Sequence, residues 1–122
     1  MSDFETDIPR DLPQISLDQT KIRQALFNLL RNAQESIQHT HGKILFSASA
    51  VPDGVQITIS DNGCGMTEDQ IENAFRPFVT YKPGGTGLGL AVTRQIIEAH
   101  QGTLCVESAP KEGTSFYIFL PG

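Results

Sequence analysis

Between Leu17 and Ile37 the apolar residues Ile22, Leu26, Leu29, Leu30, Ala33 and Ile37 recur at steps of three and four. That spacing draws one stripe along a 3.6-residue helix and predicts a helix over about 18–38, with Ser16 and Gln19 spaced as a capping box at its start. After the polar break HTHG the period changes to two. Ile44, Phe46, Ala48 and Ala50 alternate with Leu45, Ser47 and Ser49, then Val55, Ile57 and Ile59 alternate with Gln56, Thr58 and Ser60. With Pro52-Asp53-Gly54 as the turn, this is a hairpin. Thr67 and Gln70 open a short helix that carries Ile71 and Phe75 and is stopped by Pro77. Phe78 to Gly87 reads as a loop. The apolar positions of Leu88 to His100 predict a second long helix, with Gly102 just past its end as a left-handed cap. Thr103–Ser108 and Ser115–Leu120 form a second hairpin around Pro110-Lys111-Glu112-Gly113.

Residues 1–13, with Pro9, Pro13 and scattered acids, have weak periodicity and read as a loose entry segment holding at most one edge strand. Regular structure is expected from near Ser16, and residues 14–122 are expected to form one domain. Strands gathered into hairpins, interleaved with two long helices, imply a mainly antiparallel sheet with helices packed on one face. The expected fold class is therefore α+β, a two-layer sandwich.

Composition narrows the function classes. The chain has 122 residues, 14 Asp and Glu against 9 Lys and Arg, and a formal net charge of -5. With no basic cluster, the phosphate attraction that nucleic-acid binders use is missing, so no nucleic-acid partner is expected. No apolar run reaches the roughly 18 residues that a membrane span needs, and the N-terminus lacks the regions of a signal peptide. The expectation is a cytoplasmic chain without direct membrane contact. Cys64 and Cys105 have neither metal-ligand spacing nor the number for a disulfide framework, and neither is expected to do chemistry.

Three stretches carry candidate chemistry. The run Gly84-Gly85-Thr86-Gly87-Leu88-Gly89-Leu90 stands between a loop and a helix start, where backbone N–H groups and the helix dipole favour an anion such as phosphate. It fits neither a dinucleotide fingerprint, since position 90 is Leu, nor a P-loop, since Gly42-Lys43 is followed by Ile44. A flexible turn is its other reading. The second stretch, Asp61-Asn62-Gly63-Cys64-Gly65-Met66, holds one carboxylate among residues that permit close backbone approach. It reads either as ordinary turn chemistry or as an acceptor for an exocyclic amine. On the first helix Asn28 and Asn32 share a face four residues apart, at the border of the apolar stripe. A side-chain amide oxygen there suits Mg²⁺, which keeps water and phosphate oxygens beside one or two protein oxygens. A plain polar helix face is the alternative.

In order along the chain these stretches resemble the ATP-binding catalytic domain of sensor histidine kinases, in the superfamily that also includes gyrase, Hsp90 and MutL. NLLRNA at 28–33 is similar to that family's N box, and DNGCGM at 61–66 to its first glycine box. Phe75-Arg76-Pro77-Phe78 is similar to its F box, GTGLGL at 85–90 to its second glycine box, and Gly113-Thr114 before Phe116 to its late Gly-Thr pair. The resemblance spans about residues 14–121. It implies the Bergerat ATP-binding fold, with ATP and Mg²⁺ bound. Asn32 would then be the Mg²⁺ ligand, with Asn28 one turn earlier near the metal or the phosphates. Asp61 would accept the adenine amino group, Gly63 and Gly65 would let the purine approach, and Thr114 would stand at the adenine end. Gly85, Thr86, Gly87, Leu88 and Gly89 would wrap the triphosphate as part of a lid, and Lys82 is the candidate cation for the terminal phosphates, with an exposed lysine that does nothing specific as its other reading.

The resemblance also implies a chemistry. Relatives that activate water or a serine hydroxyl commonly carry a glutamate where Asn28 stands here. An amide takes no proton at neutral pH, so the expected reaction is transfer of the γ-phosphate to a histidine, which is nucleophilic when neutral. His39 and His41 read as solvated loop residues, and His100 as a cation near the helix dipole or a helix-end cap. The acceptor is thus expected on a separate histidine-bearing dimerisation domain, with a response regulator downstream in a two-component phosphorelay. The isolated domain is expected to be monomeric. An anti-sigma-factor-type serine kinase or switch protein, and a non-catalytic nucleotide-binding module, are the alternatives.

Overall fold

A computed structural model describes residues 2–7, 18–37, 41–75 and 89–122. Five strands form one sheet: β1 (Ser2–Asp7), β2 (Gly42–Val51), β3 (Gly54–Asp61), β4 (Thr103–Ala109) and β5 (Gly113–Pro121). Their spatial order is β1-β2-β3-β5-β4, with β1 parallel to β2 and every other neighbouring pair antiparallel. The two hairpins are those the period of two predicts. Regular structure begins earlier than expected, because Ser2–Asp7 pairs as an edge strand with Gly42–Ser47. Main-chain pairing on an open edge requires no apolar alternation, which is why the sequence pattern there is weak.

Three helices complete the described residues: α1 (Gln19–Ser36), α2 (Glu68–Asn73) and α3 (Gly89–Ala99). Ile22, Ala25, Leu29 and Ala33 of α1 and Ile96 and Ile97 of α3 are buried against Val55, Ile57, Ile59, Phe116, Ile118 and Leu120. These strand residues alternate with less buried positions such as Gln56, Thr58, Ser115 and Tyr117, so one sheet face carries the core and the helices cover that face.

Helix ends depart from the sequence reading in two places. The cap of α1 is Asp18, not Ser16, which lies outside the described residues. Asp18 Oδ1 accepts from the Lys21 N–H at 3.2 Å, so Gln19 is the first residue of the helix and not the third position of a capping box. At the end of α3 the left-handed residue is Gln101 (φ 62), not Gly102. Gln101 N–H donates to Glu98 O and Gly102 N–H to Ile97 O, a Schellman pair. Gly102 is needed for closeness instead, since a Cβ there would lie 2.3 Å from Phe119 O. At α2 the predicted capping box is present: Thr67 Oγ1 accepts from Gln70 N–H and Gln70 Oε1 from Thr67 N–H. Pro77, expected to stop this helix, lies outside the described residues.

His100 joins the two long helices. Its Nδ1 lies 2.8 Å from Ile96 O, and its Nε2 accepts the Asp18 N–H at 3.0 Å. A neutral imidazole with its proton on Nδ1 satisfies both bonds. The capping reading of His100 therefore holds, and it links the last turn of α3 to the first of α1.

Candidate functional site

The alternation that fills the core runs out at one end of the sheet. On β3 the inward series Val55, Ile57, Ile59 continues to Asp61, and on β5 Leu120, Ile118, Phe116 continues to Thr114. Register sets Asp61 opposite Thr114, and Thr114 opposite Ser108 on β4. Side chains directly opposite share a face. Ser108, Thr114 and Asp61 thus form a polar row across three adjacent strands, one step beyond the apolar row Val106–Phe116–Ile59, and the row faces the helix layer.

The loop after β3 is fastened on both sides of this row. Asp61 Oδ1 accepts from its own loop, the Gly63 N–H at 2.8 Å, and from Ser36 Oγ at 3.1 Å. The Gly63 bond is an Asx-type turn, which holds the carboxylate against the backbone. Ser36 also contacts Ala33 O at 2.8 Å, and Ser36 O accepts the Cys64 N–H at 2.9 Å. A Cβ on Gly63 would come within 2.4 Å of Ser36 Oγ, so glycine is what lets the loop close on α1. On the other side Cys64 O accepts the Lys111 N–H at 2.7 Å and Ser108 Oγ accepts the Met66 N–H at 2.8 Å. Gly65 has φ 70, and a Cβ there would stand 1.9 Å from Ala109 O. Both glycines therefore serve close approach within the fold, Gly63 to the end of α1 and Gly65 to the end of β4.

Asn28, Asn32 and Ser36 follow one another at four-residue steps along α1, beside the buried row Ala25, Leu29 and Ala33. Both asparagines are half-buried and engaged in contacts. The last member of this row bonds Asp61, which links the α1 row to the polar end of the sheet. Thr114 is buried, with its Oγ1 2.8 Å from Ser108 Oγ. Phe75 sits edge-on to Phe116, with ring centroids 6.4 Å apart and planes at 88°, and the Arg94 guanidinium lies 5.3 Å from its centroid.

Of the residues singled out in the sequence, Asp61, Gly63, Gly65 and Thr114 thus stand together at one end of the sheet, and Asn28 and Asn32 lie on the α1 row whose last member, Ser36, bonds Asp61. Gly89 opens α3. Lys82, Gly85, Thr86, Gly87, Leu88 and the motif residues Arg76, Pro77 and Phe78 lie outside the described residues. Two contributors were not singled out. Ser36 carried a signal, because it extends the Asn28–Asn32 row by one more four-residue step. Ser108 carried one only through hairpin register, which sets it across from Thr114.

The chain belongs to the histidine kinase-, DNA gyrase B- and HSP90-like ATPase family, whose pattern matches residues 17–122. It is 43% identical over 104 residues to sporulation kinase B of Bacillus subtilis (strain 168), covering 85% of this chain and 24% of that protein. It is likewise 43% identical over 110 residues to the sensor histidine kinase ZraS of Escherichia coli (strain K12), covering 90% of this chain and 23% of that protein. The chain therefore spans about a quarter of the length of these curated relatives. Among solved structures, the catalytic domain of histidine kinase ThkA in a nucleotide-free form superimposes with a TM-score of 0.85 at 34% identity, covering 98% of this chain and 78% of that one. The mycobacterial sensor histidine kinase MprB gives 0.86 at 29% identity, with 99% and 82% covered. The fold is that of histidine kinase catalytic domains, and the serine-kinase alternative is not favoured. Among the described residues no helix is long and apolar enough to cross a membrane.

Proposed function

We propose that this chain binds MgATP between α1 and the polar end of the sheet and donates the γ-phosphate to a histidine on a separate dimerisation domain. The observation that carries this reading is Asp61, a carboxylate oriented by Ser36 and Gly63 at the point where the core's apolar columns end. An ionised carboxylate is acceptor-only, and it suits the amino group of adenine. Kinship with sporulation kinase B and ZraS, and a TM-score of 0.84 to full-length ShkA in complex with AMPPNP at 29% identity, support ATP as the nucleotide.

The order of residues along α1 gives the nucleotide a direction. At 1.5 Å rise per residue, Asn32 and Asn28 lie about 6 and about 12 Å along the helix from Ser36. Adenine at Asp61 and Thr114 therefore runs its phosphates toward the two asparagines. Gly63 and Gly65, packed against Ser36 and Ala109, hold the loop that carries Asp61 close to α1 and β4 at the purine end. Asn32 offers its amide oxygen to Mg²⁺ and Asn28 stands one turn further, a donor set that fits a hard cation taking few protein ligands. When bound, Mg²⁺ supplies neutralisation of the phosphate charge. Gly85, Thr86, Gly87, Leu88 and Gly89 offer backbone N–H groups to the phosphates, and Lys82 offers an ammonium.

Neither Asn28 nor Asn32 accepts a proton at neutral pH, so the α1 face positions the phosphate without activating water. Phosphoryl transfer asks chiefly for positioning and charge stabilisation, and a neutral histidine brings its own nucleophilic nitrogen. His100 is not that histidine, because both its ring nitrogens are engaged in the fold. Acceptor histidine, dimerisation domain, response regulator and a cytoplasmic site of action belong to this reading.

The test is nucleotide affinity with and without Mg²⁺. Wild type should bind ATP more tightly with Mg²⁺ present. Asn32→Ala should lose that Mg²⁺ enhancement while keeping metal-free binding. Equal Mg²⁺ enhancement in the variant contradicts the role given to Asn32.

A further inference from the structure

We infer that Ser108, one strand removed from Asp61, is a positioning residue that sets which purine the pocket accepts, by fixing the direction of the Thr114 hydroxyl proton. The inference rests on the adenine reading of Asp61 and Thr114 given above.

It follows from a proton inventory. Ser108 Oγ has three neighbours, each at 2.8 Å: the Met66 N–H, Gly113 O and Thr114 Oγ1. The Met66 amide is a donor, so Ser108 accepts there. Gly113 O is a carbonyl, so Ser108 donates there. A serine hydroxyl has one proton and two lone pairs. With the proton directed to Gly113 O, the Thr114 contact has one sense left: Thr114 donates and Ser108 accepts. All three Ser108 valences are then filled, and the Thr114 proton points along the sheet toward β4.

Thr114 therefore turns lone pairs toward Asp61, across from it on β3. Among the described residues, Thr114 and Asp61 present two acceptors at this end of the pocket, a hydroxyl oxygen and a carboxylate, and the Thr114 proton is turned away from the space between them. An exocyclic amine at the purine 6-position meets both favourably, directly or through one water. A 6-oxo group brings a third acceptor to the same place. Without Ser108 the Thr114 hydroxyl turns freely and can donate, and the penalty against the oxo purine falls. Ser108 is held rigidly for this purpose, since the same atom pins the loop after β3 through Met66 and the β4–β5 turn through Gly113.

The experiment compares equilibrium binding of ADP and IDP, which differ at the 6-position by an amino against an oxo group. Wild type should favour ADP. Ser108→Ala should reduce the ADP-to-IDP preference on the order of tenfold, about the worth of one hydrogen bond, mainly through tighter IDP binding, and Ser108→Thr should restore it. A role confined to stability would weaken both nucleotides together and leave the ratio unchanged, so an unchanged ratio in Ser108→Ala overturns the inference. Should that variant not fold, Thr114→Val removes the hydroxyl that Ser108 orients, at nearly equal volume, and must also lower the ratio; an unchanged ratio there overturns it equally. Asp61→Asn binding ADP as wild type does contradicts instead the adenine reading beneath it.

Discussion

The Asp61 carboxylate carries the greatest share of the proposed recognition. It is oriented by the Gly63 N–H and by Ser36 Oγ, and so is held in place before any ligand arrives. Asp61→Asn keeps the shape but replaces an acceptor oxygen with a donor amide. A hydrogen bond to a charged group contributes about 1.5–3 kcal/mol, so calorimetry should show ATP affinity reduced by about tenfold to a hundredfold, with the melting temperature little changed. Ser36→Ala should reproduce a part of that loss, because it frees one side of the carboxylate. Asp61, Asn28 and Asn32 were legible in the sequence because polar residues interrupt an otherwise apolar pattern there. Ser36 was legible only as one more four-residue step of the Asn28–Asn32 row, and Ser108 only once strand register set it across from Thr114.

At the level of elements, the two hairpins and both long helices followed from period alone, and the corrections fall where the pattern carries no information. The edge strand β1 pairs through its backbone. The start of α1 is set by Asp18 and the end of α3 by Gln101, each chosen by local geometry that several nearby residues could have supplied. The loop between β3 and α2 is the element on which the site depends most. Gly65 combines a left-handed φ with a backbone oxygen 1.9 Å from any added Cβ. Gly65→Ala should therefore destabilise the domain by more than about 1 kcal/mol, visible as a lower midpoint in urea, and weaken nucleotide binding further than that loss alone explains. Phe75→Ala removes a ring wedged between Phe116 and Arg94 and should cost about 2 kcal/mol, less than a fully buried phenylalanine.

Across the whole molecule, one sheet and one helix layer produce both a core and a site from the same alternation. The core columns of β3 and β5 end in Asp61 and Thr114, and the α1 row that borders the core ends in Ser36. The fold class was readable because hairpins and helix stripes are local, and the family because five motifs fall in order. The relative placement of those motifs was not readable, since it depends on the strand order β1-β2-β3-β5-β4, which brings the chain's last hairpin beside its first. The net charge of -5 gains meaning at this scale. A polyanion must be met by Mg²⁺ and oriented N–H groups, so salt should affect nucleotide binding less than removal of Mg²⁺ does. The central claim is transfer of phosphate to histidine, and phosphate chemistry tests it directly. The chain is incubated with labelled MgATP and a histidine-bearing dimerisation domain, and the product is challenged with acid and with alkali. The account predicts label on the dimerisation domain that is lost in acid and retained in alkali, and that is reduced with Asp61→Asn at MgATP below saturation. Acid-stable label, or none on a domain competent to receive it from its own kinase, would contradict it.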